Sequence, residues 1–201
     1  ARPEWVDGVP DYGTTAMANQ HAELRQYAAR LAAIDSSGWP VEQQVDQYLV
    51  RAEMNGLDFD HRVRKPWSNN PAFYVTVFSA QSDVPAHEGP IIDGWLDTWA
   101  YEYPLDATSA ELFAERIGSI PELLQQARTN LTGDGTDLWR MAPRSFAAQS
   151  RDLQGLAGRV AGTSEVLDEV IERAIGATDE FVAWLEAEAP SRTGASGVGA
   201  D

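Results

Sequence analysis

Residues 164–189 read SEVLDEVIERAIGATDEFVAWLEAEA. Leu167, Val170, Ile171, Ala174, Thr178, Phe181 and Leu185 recur at intervals of three and four, while the acidic residues fall between them. On a helix of 3.6 residues per turn those seven positions form one stripe, and the run is far too long for a strand. A long helix with one buried face needs other helices to cover it.

The neighbouring segments supply them. Pro143 predicts the start of a helix carrying Phe146, Gln149, Leu153, Leu156 and Val160, parted from the 164–189 helix by Gly162 and Thr163. Upstream, Thr108-Ser-Ala-Glu111 and Ser119-Ile-Pro-Glu122 have the spacing of capping boxes, in which hydroxyl and carboxylate satisfy each other's backbone amides. They predict one helix with Leu112, Phe113 and Ile117, and another with Leu123, Leu124, Ala127 and Leu131. Near the N-terminus, Met17, His21, Leu24, Ala28, Leu31 and Ile34 form a further stripe, ended by the turn formers of Asp35-Ser-Ser-Gly38. Pro40 opens a partner stripe of Val41, Val45, Leu49, Ala52 and Gly56. Joined by so short a turn, helices 14–34 and 40–57 are expected to pack antiparallel, and 164–189 to be the longest helix.

The middle is less regular. Residues 73–78 (FYVTVF) are β-prone, yet no second alternating run exists to pair with them, so a helix begun by Pro71 is expected instead. Residues 91–101 predict a short helix stopped by Pro104. The predicted fold is all-α: an irregular multi-helix bundle of about six or seven helices with a loop-rich middle. Residues 1–13 are expected as an extended arm, 14–189 as the helical domain, and 190–201 as a flexible linker or tail.

Composition narrows the function. The chain has 201 residues, 31 acidic against 15 basic, a net charge of −16 and no cysteine. Disulfides, thiolate metal sites and cysteine nucleophiles are therefore excluded. Such an acidic chain is ill suited to nucleic acid or to an anionic membrane, both of which demand clustered cations. No run approaches the length of a bilayer span. The expected setting is the cytoplasm, with secretion left open. Seven tryptophans are many for this length, and each belongs either to a core or to an aromatic platform for a ligand.

Familiar catalytic patterns fail on inspection. His87-Glu88 begins like HExxH, but Ile91 stands at the second histidine position and Gly89-Pro90 would break the helix. The loop from Asp134 begins like a calcium loop, but Ser145 stands where the bidentate glutamate belongs. With three scattered histidines, no metal ligand and no catalytic residue is assigned. One basic island remains, Asp58-Phe-Asp-His-Arg-Val-Arg-Lys-Pro-Trp67, followed by Asn69-Asn-Pro-Ala-Phe-Tyr74. His61, Arg62, Arg64, Trp67 and Tyr74 are its candidate substrate-binding residues. Either arginine has the fork to hold a carboxylate; equally, both have Asp58 and Asp60 close by to neutralise. The crowding of Trp67, Phe73, Tyr74, Phe78, Trp95, Trp99, Tyr101 and Tyr103 predicts an uncovered aromatic patch that meets a partner.

In order along the chain, VPDYG, LAAIDSSGWPVEQQVDQYLVRAEMNGLDF, KPWSNNPAFY, IPELLQQARTNL and SRTGASGVGAD resemble the N-terminal half of a bacterial family. It is known as domain of unknown function 885, and its largely helical members are taken to be zinc-dependent hydrolases. The resemblance implies a peptidase-like enzyme of several hundred residues whose HExxH-like zinc motif lies beyond Asp201. It implies that this chain shapes or covers the cleft of that separate catalytic portion, its expected partner. Zinc is expected there, and no cofactor in this chain. The alternative is a free-standing, non-catalytic helical binding module; self-association into a homo-oligomer stays open.

Overall fold

The computed structural model describes residues 3–81, 95–197 and 199, and its architecture is all-α. Strands β1 (Trp5–Val6) and β2 (Val9–Pro10) form an antiparallel hairpin, with Trp5 opposite Pro10. Asp7 and Gly8 between them both have positive φ, 51° and 80°. Two such residues make the turn whose twist matches a β-hairpin, so the expected arm begins as a hairpin. Helix α1 (Thr14–Ala32) and helix α2 (Val41–Phe59) follow. Ile34 is bonded to Gln47, and His21 to Asp58, so the partners descend one helix as they climb the other. The pair is antiparallel.

Beyond α2 the helix widens into a π-helical turn, Asp60–Arg64, which Lys65 closes by donating its N–H to the Asp60 carbonyl at 2.7 Å. The single-turn helix α3 (Pro66–Asn69) comes next, then a 3-10 turn over Pro71–Tyr74. Strand β3 (Val77–Phe78) runs parallel to β4 (Leu96–Asp97), with Val77 opposite Leu96. Pro71 thus starts only one tight turn. The β-prone run does find a partner, in two residues with no alternating pattern to announce them. The described part of the expected 91–101 helix is strand β4 and a 3-10 turn, Thr98–Ala100.

Four helices complete the chain: α4 (Ala107–Gly118), α5 (Ile120–Asn130), α6 (Thr136–Val160) and α7 (Glu165–Glu188). Ser119 alone separates α4 from α5, so six long helices and the single-turn α3 carry the described fold. Helix α4 starts before its predicted box: Asp106 is the cap, accepting from the Ser109 N–H at 2.7 Å. At Ser119 the boundary is as predicted, but its hydroxyl turns back to the Arg116 carbonyl and closes α4 instead of capping α5. Pro143 lies inside α6 rather than at its start, which makes α6, at 25 residues, longer than α7, at 24. A proline removes one hydrogen bond from a helix interior, and here the burial of Trp139 and Ala142, in the turn before it, sustains the first turns.

Helices α6 and α7 pack along their length, and α4 and α5 lie across α7. All seven residues of the 164–189 stripe are buried, and Trp139, Phe146, Leu153, Leu156 and Val160 face them from α6. Most tryptophans have homes. Trp139 is fully buried with Trp184 tilted against it and the Arg192 guanidinium 4.0 Å from its ring centre; Trp5 lies under Arg116. The expected aromatic patch is largely absorbed: Phe73 and Tyr74 are buried, and Trp67, Tyr101 and Tyr103 pack on the core. Phe78, Trp95 and Trp99 remain more than a third exposed. A larger uncovered apolar face lies elsewhere. Helix α2 buries none of its residues, and Val41, Tyr48 and Leu49 are 75%, 61% and 60% exposed. The C-terminal stretch is held as far as Ser196: Gly194 bridges Gly135, and the Ser196 hydroxyl accepts from the Asp137 N–H.

Candidate functional site

Three elements meet beside the π-helical turn. Helix α1 brings Thr14, Met17 and His21; the turn and α3 bring His61, Lys65, Trp67 and Ser68; the end of α5 brings Thr129, Asn130 and Thr132. With Tyr12 and Ala18 they line a partly open cavity of about 320 Å³. That is the lower end of the range for small-molecule sites.

The widened turn sets the geometry. π-Helical turns insert one residue into a helix and recur at functional sites. This one ends at Lys65, whose φ of 41° is left-handed, a conformation costly for a residue with a Cβ. Pro66 then starts α3 with its φ already set. The reversal places His61 behind Trp67, ring centres 5.0 Å apart, and leaves Lys65 at the rim.

Two histidines 40 positions apart meet here. The His21 and His61 rings stack at 4.9 Å and are within 2° of parallel. His21 Nε2 is 2.8 Å from Asp58 Oδ1, and Arg62 Nε donates to Asp58 Oδ2 at 2.6 Å. These two bonds, His21 first, hold the Asp58 carboxyl below the usual range. Burial, with His21 beside it, pushes the His61 imidazole below its ordinary pKa and keeps it neutral at pH 7.

A second layer fixes the wall. Tyr74 is fully buried; its hydroxyl donates to the Trp67 carbonyl at 2.6 Å and accepts from Asn130 Nδ2 at 3.1 Å. Burial raises its pKa far above the tyrosine range, so it remains a donor. Asn130 also donates to the Tyr12 carbonyl, tying the N-terminal hairpin to α5. The Gly133 N–H donates to Ser68 O, and a Cβ on Gly133 would lie 2.7 Å from Asn69 Cα.

Of the five residues nominated from the sequence, His61 and Trp67 line the cavity. Arg62 is committed to Asp58. Arg64 pairs with Asp60 at 3.0 Å and faces a different cavity, beside Asn69 and Asp134. Tyr74 stands behind the wall as a positioning residue. His21, Lys65 and Asn130 were not nominated. Lys65 did carry a signal, as the only lysine; His21 looked like one more position on an apolar stripe.

The arrangement binds better than it reacts. Among the described residues no serine or threonine hydroxyl is bonded to either imidazole, so no nucleophile and base are paired. Nor do three His, Asp or Glu side chains converge as metal ligands among them. The stacked imidazoles lie face to face, so their ring nitrogens do not converge on one point as metal ligands do. His87 and Glu88 lie outside the described residues.

No family model and no curated protein matches the chain. Among solved structures it is similar to a proposed lipoprotein of unknown function from Shewanella oneidensis, with a TM-score of 0.65 at 15% identity. The match covers 92% of this chain and 33% of that one, so the chain spans about a third of its neighbour's length. At such low identity the likeness concerns the fold alone. No described helix is long and apolar enough to cross a membrane.

Proposed function

We propose that this chain is the helical, non-catalytic portion of a zinc-dependent, peptidase-like hydrolase, presenting substrate to a catalytic portion that lies outside these 201 residues. The observation that carries the reading is the uncovered face of α2, whose apolar stripe stays largely exposed among the described residues. Faces of that kind are normally closed by another domain or subunit. The resemblance of its segments, in order, to the hydrolase family supports it, and so does a fold that recurs as a third of a longer chain. In this reading zinc and its ligands belong to the other portion.

Intact mass of the protein from its native source tests the proposal. The expected result is a species well above 22.0 kDa, either one longer polypeptide or this chain with a defined second one, that hydrolyses peptides when loaded with zinc. A lone chain of that mass would overturn it. So would stoichiometric zinc kept by the isolated chain through dialysis against a mild chelator, together with hydrolysis.

The second reading, a free-standing binding module, is favoured by the cavity that α1, α3 and the end of α5 build together. As to compartment, an acidic chain without cysteine suits the cytoplasm, whereas a lipoprotein-like neighbour points to the cell envelope; fractionation of native cells separates the two.

A further inference from the structure

We propose that the cavity between α1, α3 and the end of α5 binds a monoanionic carboxylate attached to an apolar group, with the Lys65 ammonium as counter-ion and the Trp67 ring as the apolar seat. The inference rests on the cavity being a binding site and holds for either reading of the whole protein.

Charge selection is the first argument. The chain carries 31 acidic residues, yet none of the 12 residues lining this cavity is Asp or Glu. Cations nearby are spent on acids four positions earlier: Arg62 on Asp58 and Arg64 on Asp60. Lys65 breaks that pattern. It makes no ion pair among the described residues, and the left-handed backbone that ends the π-helical turn presents it at the rim. A strained residue that carries the chain's only lysine, left unpaired over an acid-free cavity, is suited to an anion from outside.

The rest of the lining defines the ligand. A phosphate dianion is ordinarily held by several cations or a cradle of arginine forks. Here the one full charge matches a single carboxylate, with the hydroxyls of Thr14 and Thr129, and one of the mutually bonded Ser68 and Thr132, as further donors. Trp67, Met17 and Tyr12 offer apolar surface for what the carboxylate is attached to. About 320 Å³ holds a molecule the size of a dipeptide.

Phenylacetate is the probe, with phenylacetamide as its uncharged counterpart and inorganic phosphate as the anion without an apolar group. Binding is read from the imidazole proton resonances of His21 and His61, assigned with the single variants His21→Gln and His61→Gln. Phenylacetate is expected to shift both saturably, and phenylacetamide and phosphate to bind at least about tenfold more weakly. Lys65→Met is expected to lose about tenfold in phenylacetate affinity with its thermal transition unchanged, and Lys65→Arg to retain most of it. No saturable shift would overturn the proposal, as would equal binding of the amide, stronger binding of phosphate, or full affinity in Lys65→Met. None of these results bears on the mass or hydrolysis experiment, so the two proposals fail separately.

Discussion

At the scale of single residues, the cavity wall depends on side chains that never touch its contents. Tyr74 shows this most directly, because its hydroxyl serves the Trp67 carbonyl and Asn130 together while the residue is wholly buried. Tyr74→Phe is expected to lower stability by about 1–2 kcal/mol in urea titrations, the cost of leaving a buried acceptor unpaired. It should also loosen Trp67, read as weaker phenylacetate binding. His61 carries a pH signature. Its folded pKa lies below the unfolded value near 6.5, so in that window the unfolded chain binds more protons than the folded one. Its contribution is intact above that value and is lost as pH falls through it toward the folded pKa. Stability measured from pH 7 down to pH 5 should therefore fall more steeply in the native chain than in His61→Gln. Equal slopes would show that His61 is not held neutral. Beyond burial, the stacked His21 lowers the His61 pKa, while Asp60 and the half-buried Asp58 oppose it.

At the scale of elements, short pieces are stitched to long ones by individual polar side chains. Gln149 sits mid-way along α6 and is buried, yet its Oε1 accepts from the backbone N–H groups of Thr76 and Val77, at 2.7 and 3.2 Å. That replaces the strand partner that β3 lacks on this side. Gln149→Leu keeps the side-chain size but orphans two buried amides, so a loss of about 2–4 kcal/mol is expected by chemical denaturation. From the sequence, Gln149 reads as one more position of an apolar stripe. Gly133 does similar work between α5 and α6, where its backbone lies against Asn69. Gly133→Ala is expected to cost about 1–3 kcal/mol, because the contact is backbone on backbone and cannot repack.

At the scale of the whole molecule, the four-helix core of α4 to α7 contrasts with the α1–α2 pair, which meets it mainly through Ala16, Met17 and the cavity. Because Val45 and Leu49 are about half exposed or more, the double change Val45→Glu with Leu49→Glu should shift the stability of the isolated chain by no more than about 0.5 kcal/mol. In the proposed assembly of this chain with a second, catalytic chain, the same change should abolish association, as read by sedimentation; unaltered association would remove α2 from that interface. The contrast also separates what each level of description can say. Sequence alone determined that 164–189 and 14–34 are amphipathic helices and which residues make their apolar faces, because helix period is a local property of the backbone. In α7 every residue of the stripe is buried, whereas in α1 only Met17 and Leu24 are, and in α2 none. An apolar stripe states a requirement for cover and is silent on what supplies it. The meeting of His21 with His61, the commitment of Arg62 and Arg64 to neighbouring acids, and the freedom of Lys65 likewise follow from how α1 crosses the π-helical turn. Such distances are fixed by packing between segments far apart in the chain, and only the tertiary structure decides them.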